Sequence, residues 1–456
     1  MNGIARLFAG SSLRARALRG AGISVMGFGG QQALRLASNL ILTRILFPEA
    51  FGMMALIAVI LTGLQMFSDV GVTPSIMQSK RGDEPDFLNT AWTIQVIRGG
   101  LLWLAACGLA WPLAALYDAP ELTQYLPVAA LALLVQGFNP TRKDTAGRHL
   151  LLGRLTSLEL TAQVIGLIAA IGLAWALQSV WALVISGVVA AVAQLLLFGR
   201  YLPGQPNRFR WERRAAGELI GFGKWIFLST VAGFLFNQGD KLLLGKYLAL
   251  GVFGVYNIGY FLASFPLILG RMVTQRILIP IYREKPPAAS RENFLKLRKM
   301  RSLVTLGLLG MLGTFAASGV WLVELLYDDR YALAGPVVVL LAAGQVPMLV
   351  GLTYDQAALA AGDSRRFFVL AAARAVLMLG AIFAGLELAG LLGALIGQGV
   401  GYALIYPVIV WLARRVGAWD PLHDAVFLAM GLVLAGGAVW WNLEAVAALA
   451  AGQLSP

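Results

Sequence analysis

The stretch FNQGDKLLLGKY, Phe236 to Tyr247, places Asn237, Gln238, Asp240 and Lys241 together in an otherwise apolar run. An acid beside a base in such company can pair internally, hold a charged ligand or carry a proton. Other polar residues recur at helical spacing. Gly27, Gln31, Arg35 and Asn39 repeat every four residues and form one polar stripe about 18 Å long. Thr62, Gln65 and Asp69 follow an i, i+3, i+7 pattern, and Thr156, Glu159 and Gln163 repeat it. Gln95 pairs with Arg98 one turn later, and Gly233 and Asn237 lead down to Asp240 and Lys241. Asn257, Tyr260, Ser264, Arg271 and Gln275 run along one side of the following segment, while Lys224, Asp355 and Arg374 stand alone.

At mid-bilayer an ionisable side chain costs roughly 2.5–3.5 kcal/mol on insertion scales, so it faces a bundle interior or a wet cavity. Each of these residues could also serve only to fix helix packing, and Asp240 and Lys241 fit that use as well as a site. Arg44, Lys246 and Arg276 fall near helix ends, where they can snorkel. The set as a whole is unbalanced. Arg35, Arg98, Lys224, Lys241, Arg271 and Arg374 outnumber Asp69, Glu159, Asp240 and Asp355. Packing pairs alone would tend to balance, so the excess of base points to an anionic cargo in a hydrated cavity, with arginine suited to phosphate. Asn39 and Asn237 share the stripes and join the bases as candidate head-group ligands. The four acids are the candidates for coupling or gating.

The elements that position these residues follow from composition. Hydrophobic residues make up 59% of the 456 and charged residues 13%, and mean hydropathy is +0.74. A soluble domain cannot hide that much apolar surface. Runs of about 20 apolar residues, each long enough to span a bilayer, recur along the chain. The expected fold is an all-α polytopic membrane protein, because strand-period alternation is missing. Spans are expected at 20–46, 51–72, 89–116, 121–141, 154–177, 180–199, 217–245, 251–281, 301–326, 331–357, 366–386 and 389–412, with a thirteenth at 424–442. The tail from Asn442 is too short for a firm fourteenth, so 12 to 14 transmembrane helices are expected.

Basic residues collect in alternate loops, from Lys80 and Arg81 through Arg142, Lys143 and Arg148 to Arg414 and Arg415. That pattern explains the net charge of +13 without nucleic acid and puts the N-terminus in the cytoplasm. The first apolar run reads as a retained helix, not a cleaved signal. The lone Cys107 excludes disulfides and thiolate metal sites. His149 and His423 fall in separate polar loops, so no metal or other cofactor is expected. Gly223-Lys224 lacks the upstream glycine of a nucleotide-binding loop.

An internal repeat appears at an offset of 202 residues. LTRILFPEAFG (42–52) aligns with LGKYLALGVFG (244–254), with Leu42/Leu244, Leu46/Leu248, Phe51/Phe253 and Gly52/Gly254 identical. Six spans separate the copies, which suggests two parallel six-helix bundles around a central cavity. The expected domains are an N-terminal bundle over 1–200, a cytoplasmic linker over 201–216, a C-terminal bundle over 217–415 and an additional segment over 416–456.

LTRILFPEAFGMMAL, FSDVGVTPSIMQ and FLNTAWTIQVIRG resemble the start of the polysaccharide transporter family, the Wzx-type flippases of the multidrug/oligosaccharidyl-lipid/polysaccharide superfamily. GDKLLLGKYLALGVFGVYNIGYFLASFP resembles the opening of the family's second half, and ELLYDDRYALAGPVVVLLA and LAAGDSRRFF resemble later segments, so the similarity covers about residues 20 to 415. The resemblance implies export of an undecaprenyl-diphosphate-linked oligosaccharide, a repeat unit of exopolysaccharide, O-antigen or capsule. It would pass from the cytoplasmic to the periplasmic leaflet of a bacterial inner membrane by alternating access, without enzymatic activity. It also implies contact with polysaccharide polymerase or chain-length machinery and coupling to an ion. The residues do not separate proton, sodium or no coupling. Lipid II flippases carry an Arg-Asp pair in the first helix where this chain has Ser38-Asn39, which argues against a lipid II cargo. A multidrug exporter of the same superfamily would want exposed acids among aromatics. A glycolipid-modifying membrane transferase would want a clustered acid, histidine or metal site.

Overall fold

The computed structural model is almost wholly helical and describes residues 13–69, 71–223, 227–274, 278, 284, 287–354, 364–415 and 417–451. The chain separates into two compact units, 1–46 with 56–227 and 47–55 with 228–456.

The first unit holds α1 (Leu13–Ile45), the later turns of α2 (Pro48–Phe67), α3 (Val72–Gln78), α4 (Pro85–Leu116) and α5 (Leu122–Gly137). It continues through α6 (Arg142–Arg148), α7 (Leu152–Leu177), α8 (Trp181–Tyr201) and α9 (Arg213–Gly223). Lipid tails are as apolar as leucine, so membrane helices associate through close contact between small residues. On α7 the buried positions are Ala162, Gly166, Ala170 and Ala174, one per turn. A Cβ on Gly166 would lie 2.7 Å from the Cβ of Ala190 on α8. Buried Ala106, Ala110 and Ala114 repeat the device on α4, which packs along α5.

The expected span over 217–245 covers parts of two described helices, α9 and α10, and residues 224–226 between them lie outside the described residues. α9 begins before that span, at Arg213. Its Ala215, Ala216 and Leu219 join Val72, Ile76, Phe87, Ala91 and Ile94 in one apolar cluster. Arg213, Arg214 and Glu218 keep the other face polar, as an amphipathic helix lying against the bundle requires.

The loops at this end are laced together. Arg81 donates to both carboxylate oxygens of Glu212 at 3.0 and 2.8 Å. Arg148 donates to Asp83 at 2.9 Å and to the carbonyls of Ile76 and Ser79. Arg142 donates to the Gly199 carbonyl at 2.7 Å, and Asn207 donates to the Thr141 hydroxyl at 2.8 Å. The loops after α3, α5 and α8 therefore meet at one end of the unit, as alternate loops of a serpentine chain must.

The second unit holds the first turns of α2, then α10 (Phe227–Tyr247), α11 (Leu250–Ala263), α12 (Phe265–Val273), α13 (Arg291–Leu326), α14 (Ala334–Gly344) and α15 (Val346–Gly351). After these come α16 (Ser364–Arg415), α17 (Pro421–Trp441) and α18 (Leu443–Ala450). The expected span over 251–281 is broken, with α11 and α12 bent by 42° at Ser264 just before Pro266. Proline lacks the N–H that would continue the ladder. The buried Gln345, followed by Pro347, separates α14 from α15. α16 is two helices that meet at Ala389–Gly390, where Gly390 adopts φ 56°, a left-handed conformation that glycine takes without strain.

α13 begins at Arg291, where Ser290 caps it by accepting from the Asn293 N–H. At 36 residues it is about 54 Å long and outreaches the roughly 30 Å hydrocarbon core. The two glycines matched by the repeat lie against each other in this unit. A Cβ on Gly52 would fall 2.0 Å from the Leu250 carbonyl oxygen, and one on Gly254 would fall 2.0 Å from that of Pro48.

By length and hydropathy alone, seven described helices can cross a membrane, or eight if α11 and α12 count as one span. The expectation was 12 to 14. The difference has physical causes. α1 and α10 are long enough but carry the polar stripes that lower their hydropathy, α14 and α15 are short, and α16 merges two spans. Trp111, Trp175, Trp440 and Trp441 are 75–80% exposed near the C-terminal ends of α4, α7 and α17, opposite the basic loops, where an aromatic belt meets the membrane interface.

Candidate substrate site

Helical residues turn about 100° per position, so Asp240 and Lys241 face different neighbours. Asp240 is 4% exposed and accepts a hydrogen bond from the Tyr256 hydroxyl of α11 at 2.7 Å. Lys241 Nζ donates to Gln238 Oε1 at 3.0 Å and lies 4.5 Å from the centroid of the Tyr260 ring, where the negative face of the ring attracts a cation. Arg271, two turns past the bend at Ser264, donates to Asn237 Oδ1 at 2.8 Å. Arg374 of α16 sits over the Phe236 ring at 5.5 Å, and Phe236 meets Tyr402 edge-on. Arg271, Arg374 and Asp240 are all close enough to act electrostatically on the Tyr402 hydroxyl. The second unit thus gathers Asn237, Lys241, Arg271 and Arg374 from α10, α12 and α16 among amides and tyrosines. Arginine forks in such surroundings suit phosphate oxygens.

The remaining candidates lie in the first unit. The stripes on α1 and α7 face each other. A Cβ on Gly27 would lie 2.1 Å from Thr156 Cγ2, Gln163 donates to the Gln31 carbonyl at 3.1 Å, and Glu159 lines the same cavity as Gln31. Arg35 is exposed on the same helix, and the carbonyl of Asn39 accepts from the Thr43 hydroxyl at 2.8 Å. Arg98 donates to Ser68 Oγ at 2.9 Å and to the Gln65 carbonyl at 2.6 Å, near the C-terminus of α2, where carbonyls lack helical partners. Asp69 accepts from the Gly71 N–H at 2.9 Å. Asp69 and Arg98 line a cavity of about 370 Å³ that also holds Gln65, Gln136 and Asp144. Lys224 and Asp355 lie outside the described residues.

Sequence reasoning placed Tyr260 on the polar side of its helix but missed Tyr256 and Tyr402; the hydroxyls and rings of these tyrosines hold the charged groups. Two of them stand four apart on α11 amid apolar residues, and that spacing was the available signal. It also placed His423 in a polar loop. His423 is instead buried in the first turn of α17. Its Nδ1 contacts Asp424 Oδ1 at 2.9 Å and its Nε2 contacts the Thr305 hydroxyl at 3.1 Å. Asp424 also accepts from Tyr354, Tyr406 and Trp419. Beside it Asp420 forms a two-pronged pair with Arg298, with Nη2 to Oδ1 at 2.8 Å. Burial pushes the Asp420 carboxyl up, but the Arg298 hydrogen bond and the His423 N–H more than offset it and hold the group below the usual carboxylate range. The cluster ties α13 to α17. Among the described residues no three His, Cys, Asp or Glu side chains are grouped to hold a metal ion.

The profile of the family described as polysaccharide biosynthesis protein matches residues 41–336. The chain belongs to the polysaccharide biosynthesis protein family. This member is 24% identical over 448 residues to lipopolysaccharide biosynthesis protein WzxC of Escherichia coli (strain K12), covering 93% of this chain and 89% of that one. It is 24% identical over 414 residues to succinoglycan biosynthesis transport protein ExoT of Rhizobium meliloti (strain 1021), covering 90% and 82%. Among solved structures, lipid II flippase MurJ in an inward closed conformation superposes with a TM-score of 0.66 at 9% identity, covering 94% of this chain and 97% of that one. The Vibrio cholerae MATE transporter VcmN superposes with a TM-score of 0.63 at 15% identity, covering 90% and 98%. These likenesses establish the fold that this family member shares with flippases and drug exporters. The resemblance read over residues 20–415 is the family to which the chain belongs.

Proposed function

We propose that this chain flips an undecaprenyl-diphosphate-linked oligosaccharide from the cytoplasmic to the periplasmic leaflet of a bacterial inner membrane by alternating access. The observation that carries the reading is the convergence of Lys241, Arg271 and Arg374 with Asn237 in the second unit. A pyrophosphate is the part of such a lipid with the charge and oxygen geometry to engage them. The Asn237 carboxamide orients Arg271, and the Tyr260 ring lies beside Lys241. The names and roles of WzxC and ExoT agree with a polysaccharide cargo. On this reading Asp69 and Glu159, which line cavities of the first unit, take a coupling proton or sodium ion. Asp240 serves Tyr256 instead. The N-terminus is cytoplasmic on this reading, since the basic loops share its side.

The test is complementation of a deletion strain. Lys241→Ala, Arg271→Ala and Arg374→Ala should each lower surface polysaccharide while membrane abundance stays normal. Normal export by all three would remove the cationic site from the mechanism.

A further inference from the structure

Each of the six long helices α1, α2, α4, α5, α7 and α8 sends one glutamine to the walls of two cavities in the first unit. Gln65, Gln95, Gln136 and Gln194 line the one of about 370 Å³. Gln31, Gln136, Gln163 and Gln194 line the other, of about 390 Å³. Gln136 and Gln194 belong to both, so the two spaces share a wall. Each carboxamide is at least partly exposed, Gln136 the most, so six of them on facing helices present donors and acceptors to whatever enters. Water alone would satisfy them, but so would a ligand rich in hydroxyls.

The charges at these walls nearly cancel. Arg98 and Lys143 face Asp69 and Asp144 in the first cavity, and Glu159 stands in the second. That balance gives no advantage to an anion, in contrast to the basic cluster of the second unit. None of the lining residues is aromatic, so a flat aromatic compound finds no ring to stack on. A carboxamide both donates and accepts. Gln65 Nε2 donates to Gln136 Oε1 at 3.0 Å, a bond that uses neither the Gln65 oxygen nor the Gln136 amide protons. Such a pair presents an acceptor and a donor side by side, which matches vicinal sugar hydroxyls. Each cavity falls within the roughly 300–1,000 Å³ of small-molecule pockets.

We infer that this glutamine-lined space in the first unit is the saccharide subsite and selects the cargo by its sugar. The inference rests on the flippase reading.

The experiment uses the detergent-purified full chain and two probes. One is undecaprenyl diphosphate. The other is the undecaprenyl-diphosphate oligosaccharide extracted from the source bacterium deleted for this gene. Binding of each is followed by native mass spectrometry. The wild type should prefer the glycosylated lipid by about tenfold, the equivalent of one or two net hydrogen bonds. Gln136→Met and Gln194→Met should each erase most of that preference while leaving affinity for undecaprenyl diphosphate unchanged. Lys241→Ala should weaken both probes by a similar factor. Equal loss of both probes in the glutamine variants, or no loss of either, overturns the saccharide subsite. Binding of neither probe by the wild type overturns the flippase reading itself. The two glutamines lie on different helices, so a variant that fails to fold leaves the other to decide.

Discussion

Asp424 shows how much one carboxylate can hold. It is 3% exposed and accepts from Tyr354, Tyr406 and Trp419 at 2.7, 2.6 and 3.0 Å. Asp424→Ala strands buried donors and should cost about 3–5 kcal/mol, seen as a large drop in the melting temperature of the purified protein. Tyr406→Phe removes one donor and should cost only about 1 kcal/mol. Asp144 offers a prediction with a sign. Burial raises its carboxyl above the usual range, against the Thr73 hydroxyl, Lys143 and Gln95, which pull it down. A raised folded pKa means stability is full below the unfolded value of about 3.9 and is lost as pH rises through the folded one. Asp144→Asn keeps an oxygen for Thr73 and stays neutral. It should therefore melt above the wild type at pH 8, and the gap should close as pH falls toward 4. A gap that ignores pH would refute the assignment. The polar stripes were legible because their spacing names a helix face whatever the tertiary structure. The Asp424 cluster was not, because Trp419–Asp424 reads as loop chemistry and its partners lie far away in sequence at Thr305, Tyr354 and Tyr406.

Helices were legible where apolar length set them and illegible where packing did. α7 and α8 follow from their hydropathy, and the join in α16 follows from Gly390. The packing of α9 could not be read, because the cluster that Ala215 and Leu219 form with Phe87 and Ile76 joins residues far apart in sequence. The 42° bend at Ser264 had a signal in Pro266, but the apolar length of the run over 251–281 outweighed it. One close approach of elements in the second unit is at Gly52 and Gly254. Gly254→Val sets side-chain atoms against the Pro48 backbone and should force the helices apart, with an overpacking cost of about 1–3 kcal/mol or more. Membrane abundance should fall sharply, while Gly100→Val, where a Cβ meets no atom within 4 Å, should accumulate normally. Equal abundance of the two variants would show that the contact is not tight in the membrane.

At the scale of a whole unit, the basic loops of the first unit and its exposed Trp111 and Trp175 give its opposite ends opposite characters. In a Cys107→Ser background, a cysteine at Asp118 should react with a membrane-impermeant maleimide on intact spheroplasts. One at Arg208 should react only after lysis. The reverse pattern would invert the orientation. The repeat at 42–52 and 244–254 keeps four identities, and its two glycines meet in the second unit. The placement of residues 47–55 with the second unit was not legible, since chain order assigns them to the first. That placement bears on recombination. A chimera that takes its first half from WzxC and its second from this chain, cut in the connection after α8, separates a nine-residue segment from the surroundings with which it evolved. Breakpoints that leave that segment with its own C-terminal half should yield viable hybrids more often, so the boundary along which this family can exchange cargo preference is discontinuous in the gene.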